Sequence, residues 1–220
     1  MSQGIFVTGT DTGVGKTVVS GCLARYLQER KMSVVTQKWV QAGAGEGPGS
    51  DIGRHLKIMG HILPYSFRTA CSPHLASEIE GKRISAEKIK QSFRFLSQRF
   101  EFVIVEGTGG ALVPFNRKRL LIDIARELGL AALVVAQNKL GGINHTLLTL
   151  EALKARRIKI LGVVFNNVAA EKKIILRDNP RIVRKLSAEA LLGILPRNNN
   201  MGKLYRSFVP IGKKIWKKIA

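Results

Sequence analysis

Residues 9–17, with the sequence GTDTGVGKT, combine the residue types that a phosphate-binding loop needs. An apolar run at residues 5–7 predicts a buried strand before the loop, and residues 18–27 predict a helix after it. Glycines let backbone N–H groups point at an anion, and the start of a helix adds unsatisfied donors. Lys16 could then reach the terminal phosphates of a nucleotide, and the Thr17 hydroxyl could bind Mg²⁺.

The spacing of this loop departs from the strict phosphate-loop pattern. Five residues, not four, separate Gly9 from Gly15, so that Thr10 stands at the first glycine position when the pattern is counted back from Lys16. A glycine-rich turn with a surface lysine is the alternative interpretation. The predicted strand before the loop and the predicted helix after it favour nucleotide binding.

The order of apolar runs and helical patterns predicts the fold. Val34 and Val35 predict a second strand that ends at Lys38, and three buried strands are predicted at residues 102–105, 131–136 and 160–165. Helices are predicted at residues 51–59, from residue 72, after Ser85 and at residues 144–154, and a loop at residues 41–50. Strand and helix alternate, which predicts an α/β fold: a doubly wound, mostly parallel sheet with helices on both faces.

Polar residues follow four of the predicted strands. They are Lys38, Glu106 with the glycine-rich residues 107–110, residues 138–142, and Asn166 with Asn167. Ligands of such sheets bind at the carboxyl ends of the strands. We therefore expect these groups to converge at the edge that carries the phosphate loop.

Composition limits the cellular setting and the partners. The 220 residues are most simply one domain, 1–220, and the two cysteines and the absence of a leader-like start lead us to expect a cytoplasmic protein. Thirty-six basic and fifteen acidic residues give a net charge of +21, with a basic C-terminal tail at 211–220. This charge raises nucleic acid or an anionic membrane as a partner, but it also fits a solvated surface. Because the basic residues are spread along the chain, we predict no specific nucleic acid and no membrane.

The motifs together resemble those of dethiobiotin synthetases. Residues 9–17 resemble the nucleotide loop of that family, residues 106–110 its second acidic motif, and residues 139–145 its substrate-carboxylate motif. Ser72-Pro73-His74 and Asn166-Asn167 match as well, and the matches keep the family order as far as Pro196. The resemblance implies a phosphate-loop NTPase fold and a ligase of biotin biosynthesis. It would form dethiobiotin from 7,8-diaminopelargonate, CO₂ or bicarbonate, and ATP with Mg²⁺.

The resemblance also implies residue roles. Catalytic roles fall to Lys16, Lys38 and Thr12. ATP contacts fall to Gly13, Val14, Gly15, Lys16, Thr17, Glu106, Gly109, Asn166, Asn167 and Pro196. Metal ligands would be Thr17, Asp51 and Glu106, and substrate contacts Thr12, Lys38, Ala42, Gly141, Gly142, Ile143 and Asn144. In the family the partner subunit holds the substrate carboxylate, which implies a homodimer.

Some of these roles have structural alternatives, and two residues depart from the family pattern. Asp51 could instead cap a helix, Lys38 could be a solvated strand end, and Asn166 could be a turn residue. Trp39 stands where the family usually has proline, and Ala42 stands where a hydroxyl usually contacts the substrate.

A partitioning or division-site ATPase that binds DNA or a membrane is the rival hypothesis. The apolar residues of the tail, interleaved with lysines, could then form an interfacial helix. Those ATPases carry an additional lysine at the start of the loop, where this chain has Asp11.

Overall fold

The computed structural model describes residues 4–43 and 61–219, with the backbone alone at residues 61 and 62. The strands are β1 (Gly4–Gly9), β2 (Val34–Lys38), β3 (Val40–Gln41), β4 (His61–Ile62), β5 (Tyr65–Ser66), β6 (Phe102–Gly110), β7 (Ala131–Gln137), β8 (Ile160–Asn166) and β9 (Leu191–Leu195). The helices are α1 (Lys16–Gln28), α2 (Pro73–Ile79), α3 (Ala86–Ser97), α4 (Leu121–Glu127), α5 (Gly142–Ala155), α6 (Lys173–Ser187) and α7 (Met201–Ile219). The helix predicted at residues 51–59 lies outside the described residues.

Seven of these strands form one parallel sheet in the order β4-β2-β6-β1-β7-β8-β9. The helices α1 and α7 cover one face, while α3, α4, α5 and α6 cover the other. Side chains of β7 alternate between the two cores, with Leu133 on one face and Val134 on the other. The predicted doubly wound α/β fold is confirmed.

Most predicted strands and helices are present, with shifted ends. The Ser85 side chain caps α3 by accepting a hydrogen bond from the Lys88 N–H, as the pattern predicted. Gln41 was predicted in a loop but pairs with Ser66 in the small β3–β5 sheet. The strand expected to end before Glu106 continues to Gly110, because it still pairs in parallel with β1 at Gly9, after a shift of register between Val7 and Gly9.

The basic C-terminal segment forms the second half of α7, and its apolar side belongs to the core. Ile211 is 3% exposed and Ile215 is fully buried, whereas Lys213, Lys214, Lys217 and Lys218 are exposed. Gly212 lies against the ring of Tyr26 in α1 so closely that an added Cβ would come within 2.7 Å of it. The interfacial helix of the rival hypothesis is therefore wrong, because its apolar face is already buried in the protein. Within the described residues, no helix is both long and apolar enough to cross a membrane.

The burial of α7 gives a stability prediction. Replacing Ile215 with alanine removes a fully buried side chain and should lower the free energy of unfolding by about 2–5 kcal/mol. The control, Lys214→Ala, removes an exposed side chain and should change that free energy by less than about 0.5 kcal/mol. Urea unfolding of both variants provides the measurement. A cost for Ile215→Ala as small as that of the control would show that α7 does not contribute to the core.

Candidate nucleotide and metal site

The glycine-rich loop joins β1 to α1 and takes a backbone path that only glycines allow. Gly15 precedes the helix with a φ of 93°, and an added Cβ there would lie 2.1 Å from the Asn166 side-chain nitrogen. A Cβ at Gly9 would also be crowded, because it would lie 2.8 Å from the Val14 Cγ2 atom and 3.0 Å from the Asp11 backbone oxygen. The loop thus keeps a functional glycine at its start although Thr10 occupies the usual position.

Lys16 folds back over this loop and is almost buried, with 7% of its surface exposed. Its ammonium group donates to the backbone oxygens of Asp11 at 3.0 Å and Gly109 at 2.7 Å, and so joins the loop to β6. Burial lowers the pKa of Lys16 to about 8; the nearby Lys38 lowers it too, while Glu106 and Asp11 oppose the decrease. The free site therefore holds a lysine whose charge depends on pH near neutrality.

Glu106 is the buried carboxylate of the site, with 1% of its surface exposed. The Thr17 hydroxyl donates to its Oε1 atom at 2.8 Å, and the Lys38 ammonium lies 3.2 Å from the same atom. Lys38 ends β2 and pairs in register with Glu106 on β6, so the sheet itself brings these two side chains together. The Lys38 side chain is only 17% exposed, which argues against a merely solvated strand end.

These residues face one cavity of about 630 Å³. The described residues that line it are Thr12, Gly13, Gly15, Lys16, Thr17, Val18, Lys38, Gln41, Ala42, Ala70, Cys71, Ser72, Pro73, Glu106, Gly107, Thr108, Gly109 and Val113. The cavity is therefore bounded on one side by the phosphate loop and on the other by residues 41–42 and 70–73. The predicted convergence of the first two polar groups, Lys38 and Glu106, is observed.

Trp39 and Ala42, the two departures from the family pattern, lie in different environments, one in the core and one at the cavity. Trp39 is fully buried, stacks on Phe6 with ring centroids 5.3 Å apart, and donates from its indole N–H to the Gln37 Oε1 atom at 3.2 Å. It fills the core beneath the site. Ala42 lines the cavity and offers no hydroxyl there, but the Ser72 hydroxyl lines the same cavity, 3.1 Å from the His74 Nδ1 atom.

Asn166 and Asn167 form a corner beside the phosphate loop. The buried Asn166 amide donates to the Val14 backbone oxygen at 3.0 Å, so β8 holds the loop directly. The Asn167 N–H donates to the Leu195 oxygen at 3.0 Å, which brings the exposed Pro196 to the same corner.

Residues 141–144 lie elsewhere, at the first turn of α5. Gly141 precedes the helix with a φ of 80°, Gly142 is buried, and Asn144 is exposed. None of these residues is among the described residues that line the 630 Å³ cavity.

Two contacts were missed by reasoning from the sequence. The Thr108 hydroxyl donates to the Val40 oxygen and so ties β6 to β3. Asn138 and Asn179 hydrogen-bond beneath the loop that precedes α5. An asparagine before a proline inside a helix, as in Asn179-Pro180, was the available signal.

The Thr17 hydroxyl and the Glu106 carboxylate provide oxygen ligands of the kind that magnesium prefers. The Thr17 hydroxyl gives its proton to Glu106, so its oxygen lone pairs remain for a cation. Hydroxyl and carboxylate oxygens are hard ligands, as Mg²⁺ requires. Among the described residues, no group of three or more His, Cys, Asp or Glu side chains could hold a metal, and the predicted ligand Asp51 lies outside those residues.

Some known proteins are similar to this chain in fold alone, and others are also similar in sequence. The fold resembles a putative plasmid partition protein from Borrelia burgdorferi bound to AMPPNP, at a TM-score of 0.66, 12% identity and 98% coverage of both chains. It also resembles MinD in the MinC:MinD cell division complex of Aquifex aeolicus, at a TM-score of 0.65, 13% identity and coverage of 98% and 96%. At these identities only the fold is shared.

The sequence matches define the family. A family model described as an AAA domain matches residues 3–203. The ATP-dependent dethiobiotin synthetase BioD of Anaeromyxobacter sp. (strain K) is 37% identical over 220 residues, covering 97% of this chain and 99% of that protein. BioD of Chlorobaculum tepidum is 41% identical over 174 residues, covering 74% of this chain and 72% of that protein. The chain therefore belongs to the dethiobiotin synthetase family, and the partitioning ATPases are related to it by fold.

The lowered pKa of Lys16 predicts that ATP binding is coupled to proton uptake. Phosphate charge favours the ammonium form, so binding must reprotonate Lys16 wherever pH exceeds about 8. Uptake should be small at pH 7 and approach about one proton at pH 9, where the affinity should be about tenfold weaker. Calorimetric titration with a non-hydrolysable ATP analogue, in two buffers of different ionisation enthalpy, measures this uptake.

The matched control is Lys16→Arg, because arginine stays charged over this pH range and should take up no proton at this position. Equal proton uptake at pH 7 and pH 9 by the unmodified protein would show that Lys16 keeps its charge in the free site.

Proposed function

We propose that this protein is a dethiobiotin synthetase, an ATP-dependent cyclo-ligase that closes the ureido ring of dethiobiotin. Its substrates are 7,8-diaminopelargonate, CO₂ and ATP, and its products include ADP and phosphate. The observation that carries the proposal is one cavity lined by the nucleotide loop, Lys38 and Glu106, in a chain of this family.

The reaction needs positioned cations more than a nucleophilic side chain. An amine of the substrate takes up CO₂ as a carbamate. A carbamate oxygen then attacks the γ-phosphate and displaces ADP, which gives a mixed carbamic–phosphoric anhydride. The second amine then attacks the anhydride carbonyl and expels phosphate. Negative charge accumulates between the carbamate and the phosphate in these steps, so fixed cations at that place lower the barrier.

Within the described part of the chain, Lys16 and Lys38 are the cations that line this cavity. Lys16, held by the oxygens of Asp11 and Gly109, is placed to neutralise the transferred phosphate. Lys38 projects into the cavity from the end of β2, which is separated from β1 by β6 in the sheet. It stabilises the carbamate and the γ-phosphate. Thr12 lines the same cavity, on the side of the carbamate.

A magnesium ion would be held by the Thr17 hydroxyl and the Glu106 carboxylate, and it would supply positive charge between the nucleotide phosphates. In the free site the Lys38 ammonium neutralises that carboxylate at 3.2 Å. A magnesium ion held at Glu106 would take over this neutralisation, and Lys38 would then be available to the substrate. The adenine lies at the corner of Asn166, Asn167 and Pro196, where the Asn166 Nδ2 atom is engaged by Val14 and its Oδ1 atom reads the amino group.

The substrate carboxylate is held by backbone donors of residues 141–144, which begin α5. These residues do not line the cavity of their own subunit. In a homodimer they would instead serve the cavity of the partner subunit. Three large apolar side chains near this turn support a subunit interface. Leu112, Leu140 and Leu148 are 52%, 77% and 55% exposed.

The direct test is formation of dethiobiotin by the purified protein from 7,8-diaminopelargonate, bicarbonate and ATP. Product should form at one equivalent per ADP, and chelation of Mg²⁺ should abolish it. Lys38→Ala should reduce turnover by about 10² or more, the usual cost of removing an electrostatic stabiliser.

Lys213→Ala is the control for this variant, because it removes a lysine from the exposed side of α7. Hydrolysis of ATP without dethiobiotin would exclude the proposed ligase. Near-normal turnover of Lys38→Ala would remove that lysine from the mechanism.

Mixing two inactive variants tests the shared site. Lys16→Ala disables the nucleotide loop, and Gly141→Val forces a branched residue into a φ of 80° before α5. If each carboxylate loop serves the partner subunit, a mixed dimer contains one intact site. Random pairing should then restore about a quarter of normal activity after the two variants are co-refolded. Activity no higher than that of the separate variants would place the whole site within one subunit.

A further inference from the structure

Three asparagines hydrogen-bond beneath the loop of residues 139–142. We call Asn138, Asn167 and Asn179 the asparagine cluster. The Asn138 Nδ2 atom donates to Asn167 Oδ1 at 3.0 Å, and Asn179 Nδ2 donates to Asn138 Oδ1 at 3.2 Å. Asn138 and Asn179 are 1% and 5% exposed. Buried amides persist when their hydrogen-bonding groups are satisfied, as they are here.

A proline inside α6 supplies one of these bonds. Pro180 has no N–H, so the carbonyl of Leu176, four residues earlier, lacks the usual helical donor. The Asn138 Nδ2 atom donates to that carbonyl at 2.9 Å. The unfavourable proline thus creates an acceptor for the residue that begins the loop, and it fixes α6 against the end of β7.

Two further contacts hold the loop itself. The Asn179 Nδ2 atom donates to the Lys139 oxygen at 2.8 Å, and the Leu140 N–H donates to the Glu171 carboxylate at 3.0 Å. Both partners belong to the segment after β8, and neither lies in the lining of the 630 Å³ cavity. Contacts to its backbone from Asn179 and Glu171 therefore orient the loop before α5, while Leu140 and Gly141 in the loop are exposed.

We propose that Asn179 is a positioning residue for substrate recognition, with Asn138 and Glu171 as its partners. It fixes the path of residues 139–142, so that the backbone donors at the start of α5 are directed at the substrate carboxylate. This assignment rests on the proposed function. Asn179 acts through the loop of residues 139–142 and does not contact the nucleotide loop of residues 9–17. Its loss should therefore weaken substrate binding and leave ATP binding intact.

The experiment compares Asn179→Leu with the unmodified protein in two measurements. Amide hydrogen exchange should become faster in residues 139–144, because the Lys139 oxygen and Asn138 lose their donor. In the dethiobiotin assay the KM for 7,8-diaminopelargonate should rise about tenfold, the KM for ATP should stay within about twofold, and kcat should change little.

Ser187→Ala is the matched control, because it removes a polar group from the same helix: its hydroxyl donates to the Val183 oxygen at 2.7 Å, far along α6 from the loop. Glu171→Ala, which removes the acceptor of the Leu140 N–H, provides a second variant at a half-buried position if Asn179→Leu does not fold, and it should raise the same KM. Unchanged exchange, or an equal rise of both KM values, would contradict the assignment. If the unmodified protein forms no dethiobiotin, the proposed function fails, while the exchange rates still decide whether Asn179 holds the loop.

Discussion

The site depends on one buried carboxylate. Glu106 is almost fully enclosed, and an enclosed carboxylate is stable only when cations and donors compensate for its lost hydration. Thr17 and Lys38 provide this compensation, and they come from the first helix and the second strand. One interaction therefore ties the phosphate loop, β2 and β6 together. The same arrangement prepares the site for a cation, since an ammonium group already lies where positive charge is needed.

A second polar centre, the asparagine cluster, orders the other half of the carboxyl edge. Asn166 holds the phosphate loop through Val14, and its neighbour Asn167 accepts from Asn138 at the start of the next loop. Asn179 extends the chain of amides to the loop before α5. The Asn166 amide thus holds the nucleotide loop, while Asn138 and Asn179 hold the carboxylate loop through separate hydrogen bonds. Buried polar networks that are fully satisfied define one arrangement, which is why distant loops keep a fixed relation.

The sequence predicted the parts that depend on local pattern. The phosphate loop, the buried strands and the convergence of Lys38 with Glu106 follow from apolar runs and from parallel pairing, which places strand ends at one edge. The Asn179-Pro180 pair is an unusual local pattern in a helix, but the role of Asn179 follows only from the loop that packs against α6. The extension of β6 through its glycines was missed for a similar reason. Gly107 lies against the Phe6 ring, a contact between residues far apart in the chain.

The C-terminal segment shows how tertiary packing changes the meaning of a pattern. Lysines that alternate with isoleucines are typical of an interfacial helix when the segment is considered alone. In the fold, Ile211 and Ile215 complete the core beside α1, so only the lysines meet solvent. Most of the described lysines and arginines are exposed in the same way, whereas Lys16 and Lys38 line the cavity. Surface charge of this sign attracts anionic substrates over a distance set by ionic strength. This surface charge affects how fast substrate and protein meet, whereas the buried groups determine the geometry of the site.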